Sequence, residues 1–165
     1  MLTRFIEWKK IRAFLTFAVY MLAAMFLQSV LFSRLSIIGV KGFILPAAAV
    51  AAGIYLGGVR GAVFGLFLGL FTDFAFTETT VLFTLLFPVI GFAGGVAADF
   101  YINKSFFAFM VFAAAAILLT GLVQLLAAMV LSGAELLPGL LTVLLQTLWS
   151  LPPAALLYLP FKNRS

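Results

Sequence analysis

Gly61, Gly65 and Gly69 recur every fourth residue inside an apolar run that ends on Asp73. Residues 57–73 read Gly-Gly-Val-Arg-Gly-Ala-Val-Phe-Gly-Leu-Phe-Leu-Gly-Leu-Phe-Thr-Asp. On a helix this spacing stacks the glycines along one face. A face without side chains lets a second backbone come close, which is how helices associate in lipid. The pattern predicts a bundle of membrane-spanning helices. It also asks what a carboxylate does at the end of such a face.

The composition agrees with that class. Apolar residues make up 65% of the 165-residue chain, charged residues 9%, and mean hydropathy is +1.27. Soluble domains sit near half apolar and about a quarter charged. No loop is long enough to be a soluble domain, so the chain reads as a single integral membrane domain, 1–165. Cysteine and histidine are both absent. Their absence excludes disulfides, thiolate or imidazole metal sites, and Cys or His catalysis. The net charge of +5 does not point to nucleic acid, because the basic residues flank apolar runs, as topology-setting charges do.

Six apolar segments follow, at about 13–32, 43–56, 62–76, 81–98, 106–131 and 137–159. The first follows Arg4, Lys9, Lys10 and Arg12 and is too long for a signal-peptide core, so it reads as a retained span. The second and third are short for spans. Between them, Gly57-Gly58-Val-Arg60-Gly61 predicts a turn, since arginine at a bilayer centre is costly. With the N-terminus cytoplasmic, eight basic residues fall inside (Arg4, Lys9, Lys10, Arg12, Arg60, Lys104, Lys162, Arg164) and two outside (Arg34, Lys41). This bias fits six spans with both termini cytoplasmic. Trp8, Tyr101 and Tyr158 fall near the expected interfaces.

A faint echo links Gly65-x3-Gly69-x3-Asp73-Phe to Gly91-x3-Gly95-x3-Asp99-Phe. Asp73 and Asp99 both fall near helix C-termini, where the macrodipole disfavours an anion. Each therefore calls for a cation or for solvation. Arg34 or Lys41 are the candidates for Asp73, and Arg60 or Lys104 for Asp99. The two acids are expected on opposite leaflets, too far apart to form an aspartyl protease dyad. With few, scattered acids and no general base for a serine, no catalytic residue, metal site or cofactor is expected. Gln28, Gln124 and Gln146 suit hydrogen bonds between helices, with a cavity lining as the alternative. Pro46, Pro88, Pro152 and Pro153 are candidate kinks.

The series Leu27-Gln28-Ser29-Val30-Leu31-Phe32, Leu35-Ser36-Ile37-Ile38-Gly39-Val40-Lys41, Gly58-Val59-Arg60-Gly61 and Gly65-Leu-Phe-Leu-Gly69-Leu-Phe-Thr-Asp73 resembles, in that order, the MreD family of bacterial rod-shape-determining membrane proteins. Leu151-Pro152-Pro153 through Pro160 is similar to the family's last span. The resemblance implies an all-α, six-span fold like the substrate-binding component of energy-coupling-factor vitamin transporters. It implies a non-catalytic subunit of the elongasome in the cytoplasmic (inner) membrane. The implied partners are MreC, the actin-like MreB filament, RodA and a class B penicillin-binding protein, besides the surrounding lipid. The shared architecture leaves a vitamin-binding transporter component as the other reading. That reading needs a polar pocket, for which the last three spans offer little beyond Thr120, Gln124, Thr142 and Gln146. In the scaffold reading, the small-residue faces of the second to fourth spans accept a partner helix. Gly61, Gly65, Gly69, Asp73, Gly91, Gly95, Asp99 and Gln28 are then the packing or partner-interface residues.

Overall fold

The computed structural model describes residues 2–34, 36–37, 39–75, 81–100 and 105–159. Their elements are α1 (Leu2–Arg34), a two-residue hairpin β1 (Ser36–Ile37) and β2 (Val40–Lys41), then α2 (Leu45–Leu56), α3 (Gly58–Ala75), α4 (Leu82–Phe100), α5 (Phe106–Ser132) and α6 (Leu136–Leu156). β1 and β2 pair antiparallel, Ser36 with Lys41 and Ile37 with Val40. The chain is thus essentially all-helical. Four helices, α3 to α6, are long and apolar enough to cross a membrane. Six full spans were expected, and two fall short among the described residues: the apolar stretch of α1 is Ala18–Val30, and α2 is shorter still. Its 12 residues cover only about 18 Å of a hydrocarbon core about 30 Å thick.

α2 is the centre of the bundle. Leu45 to Ile54 are buried without interruption, as expected of a helix that is apolar all round. α3 and α4 pack on one side of it and α5 on another, with α6 against α5. α4 and α5 scarcely meet, because α2 lies between them. α1 attaches more lightly. Its Tyr20 ring lies 5.8 Å from that of Phe64 on α3, and the Tyr20 hydroxyl donates to the Leu157 carbonyl at 3.3 Å. Phe43, Phe83 and Phe87 form a ring cluster at 5.4–6.2 Å beside the start of α2.

The turn expected over residues 57–61 is a single residue. Gly57 has φ 91° and ψ 161°, a region that only glycine enters without strain. α3 starts at once, so Arg60 sits in its first turn rather than in a loop. α5 opens on Ser105, whose hydroxyl accepts from the Ala108 amide at 3.2 Å, and closes on Gly133 in the left-handed region. These are ordinary helix caps. The expectations for Tyr101, Lys104, Lys162 and Arg164 lie outside the described residues.

Candidate functional site

The glycine face is used inside the chain. A methyl group built at Gly61, Gly65 or Gly69 would come closer than 3.0 Å to backbone atoms of Gly91, Phe87 and Phe83 on α4, and at Gly61 also to Gly53 on α2. The reverse holds for Gly91 against Gly61 and for Gly95 against Gly57 and Gly58. The two halves of the sequence echo are therefore the two facing surfaces of an antiparallel α3–α4 pair. Gly53 brings α2 into the same contact. This corrects the expectation that these faces receive a partner helix, because they are already covered by each other. Close backbone approach is the cause. Each glycine gives up about 0.5–1 kcal/mol of helix propensity relative to alanine, and dispersion across the seam offsets it.

Asp73 joins the same pair at its open end. Its carboxylate accepts from the backbone amides of Phe83 at 3.2 Å and Thr84 at 2.8 Å, and from the Thr84 hydroxyl at 2.5 Å. Those amides belong to the first turn of α4, whose N–H groups have no partner within the helix. The acid at the end of α3 is thus the N-terminal cap of α4, supplied from a different helix. The compensation expected from Arg34 or Lys41 comes instead from the positive end of the α4 dipole and its free amides. Asp99, in the last turn of α4, is exposed and fits the solvated helix end. The two acids lie at opposite ends of α4, on the order of 20 Å apart by helical rise.

Gln28 does something the sequence did not suggest. It is buried, donates through Nε2 to the Gly42 carbonyl at 2.9 Å, and accepts through Oε1 from the Ile44 amide at 2.8 Å. Its amide grips a non-helical strand of backbone rather than a neighbouring helix. Ser150 on α6 completes the clamp by accepting from the Phe43 amide at 2.8 Å, while its own hydroxyl donates to the Gln146 carbonyl at 2.6 Å. The Ile44 carbonyl takes the Ala48 amide at 3.2 Å. Buried irregular backbone is tolerated at membrane depth only with such satisfaction. The clamp fixes residues 42–44, all buried, immediately ahead of the short α2. Ser150 and Gly53 were missed. The signal was available for Gly53, which sits in the small-residue run of α2, but no spacing rule points to Ser150.

The remaining buried hydroxyls are self-contained. Thr72, Thr120 and Thr147 each donate to the carbonyl four residues earlier, at 2.7, 2.7 and 2.8 Å. Thr142 is exposed and does the same to Pro138 at 2.9 Å. Gln124 and Gln146 are partly buried. Trp149 keeps its indole N–H buried without a hydrogen-bond partner among the described residues. Among those residues, no three acids, histidines or cysteines gather into a metal-holding group. No family model, no curated protein and no solved structure matches the chain.

Proposed function

We propose that the chain is a non-catalytic scaffold of the bacterial wall-elongation machinery. It crosses the inner membrane six times with both termini cytoplasmic. In this role it binds MreC and links it to MreB and the peptidoglycan synthases RodA and a class B penicillin-binding protein. α1 supplies the first crossing, and α2 with the clamped residues 42–44 the second.

One observation carries the reading. Among the residues on which the resemblance to MreD rests, Gln28, Gly58, Gly61, Gly65, Gly69 and Asp73 are engaged in packing within the chain. Such residues define a shape, and what remains for partners is the apolar exterior. A vitamin-binding transporter component would need convergent polar groups with free valences. The buried threonines have instead turned their hydroxyls onto their own helices. The test is depletion of the protein in its own host. Rounding of the cells, restored by the wild-type chain, is expected. Normal shape combined with a growth requirement for a vitamin would favour the transporter component.

A further inference from the structure

The helices share a level at one end of the bundle and finish at unequal heights at the other. At the level end, the Tyr158 ring meets those of Tyr55 at 5.9 Å and Phe106 at 5.1 Å. The end of α2, the start of α5 and the residues after α6 therefore lie together, and α3 starts beside them at Gly58. From there α3 ends at Ala75, about 25 Å above Gly58, whereas α5 ends at Ser132, about 39 Å above Phe106. A hydrocarbon core of about 30 Å lies between the two heights. A relative lean of about 25°, within the range of spanning helices, still leaves a step of roughly 10 Å.

Polar residues mark both heights. On the short side, Arg34 is exposed at the end of α1, about 21 Å beyond Tyr20, whose hydroxyl is fixed to Leu157 at the common level. Asp73 caps α4 beside the end of α3. On the long side the chain turns at Gly133, and Glu135 is exposed. Between the two heights stands an arm of α5 and α6 on which Leu126, Val130, Leu131, Leu136 and Leu137 are exposed. The arm offers a partner helix little to hold. Gly121 and Gly139 are already closed by Val143 and Leu125 of each other's helix. The exposed Ser132 and Thr142 hydroxyls donate to carbonyls of their own helices at 2.7 and 2.9 Å. Helices in lipid meet through small or polar residues, whereas bulky apolar sides suit acyl chains.

Tilting the bundle cannot level both ends, since it carries the step from one surface to the other. A flat surface would either sink Arg34 into hydrocarbon or lift the leucines of the arm into water. We propose that the membrane takes up the step. The leaflet at the Asp73 end is thinned beside α1, α3 and α4 and raised around the α5–α6 arm, a change in height of roughly 10 Å around one molecule. The partner of both sides is phospholipid, compressed on the short side and extended on the long one. The inference requires only that the bundle sits in a membrane. It stands or falls separately from the elongasome assignment and from which end is cytoplasmic.

The chain has no cysteine, so one nitroxide can be placed at a time on the full-length protein in dioleoylphosphatidylcholine vesicles. Its depth is read from collisions with oxygen and with a water-soluble nickel chelate. Leu126→Cys and Phe74→Cys form the test pair, and both native side chains are exposed. Helical rise puts Leu126 about 30 Å and Phe74 about 24 Å above the common level, so under a flat surface the label at position 126 is the shallower by about 6 Å. The stepped leaflet reverses the order. The label at position 126 then lies below the Glu135 turn and should read deeper than that at position 74 by about 5–8 Å. Leu137→Cys with Val81→Cys repeats the comparison should a member of the first pair fail to fold. A label at position 126 no deeper than that at position 74 would overturn the proposal. So would a label there shielded from both reagents, which would show a protein surface on the arm.

Discussion

Replacing Gly65 by alanine strikes the α3–α4 seam where it faces only backbone. The new methyl carbon would lie 2.5 Å from the Phe87 carbonyl carbon and 2.8 Å from the Pro88 nitrogen. Both are backbone atoms, so no rotamer change relieves the clash. Ordinary contact begins at 3.4 Å, so the helices must part by roughly 1 Å, a gap that forfeits about a quarter to a half of each dispersion well along the seam. Over-packing of this kind costs about 1–3 kcal/mol, and alanine's better helix propensity returns at most about 1 kcal/mol. The net expectation is a loss of about 1–2 kcal/mol for Gly65→Ala, and more for Gly65→Leu. Reversible unfolding in mixed micelles, followed by tryptophan fluorescence, measures it. Gly58→Ala is the control, since its nearest neighbour is the movable Phe92 ring at 3.3 Å. A Gly65→Ala protein as stable as the wild type would refute the close-packed seam.

The same assay checks the remaining expectations. Asp73→Ala removes the only side-chain cap on the α4 amides recorded among the described residues and should cost about 1–2 kcal/mol. Asp99→Asn, at an exposed helix end, should stay within about 0.5 kcal/mol of the wild type. Gln28→Leu strands the Gly42 carbonyl and the Ile44 amide, at about 1–3 kcal/mol for each buried group left unpaired. Ser150→Ala strands the Phe43 amide, and because both variants release the same three residues, their effects should be non-additive. Gly57→Ala meets no clash, yet it should cost about 1–3 kcal/mol through its φ of 91° alone.

The helical class and the helix positions were legible because apolar runs and glycine spacing are properties of one segment at a time. α5 and α6 end within a few residues of where the sequence puts them. The joint at Gly57 was harder, since a cluster of two glycines and an arginine reads as a loop, whereas one residue at positive φ suffices. What covers the glycine face was not legible either. A bare face says that a backbone comes close, but not whose. The sequence echo held the answer, because Gly91 and Gly95 are the facing surface. The macrodipole argument correctly flagged Asp73 as needing compensation, yet it looked for a cation. A second helix's N-terminus serves the same electrostatic purpose and leaves no charge pattern to read. Gln28 and Ser150 meet across more than a hundred residues of sequence at an irregular strand, where no periodicity operates.

The most direct test of the scaffold account is affinity purification of the tagged chain from its own membrane in mild detergent, with mass spectrometry of the proteins and small molecules retained. The account predicts an MreC-like protein in stable association, with wall-synthesis partners and no bound vitamin. Recovery instead with a pair of ATPases and a small polar ligand would contradict it.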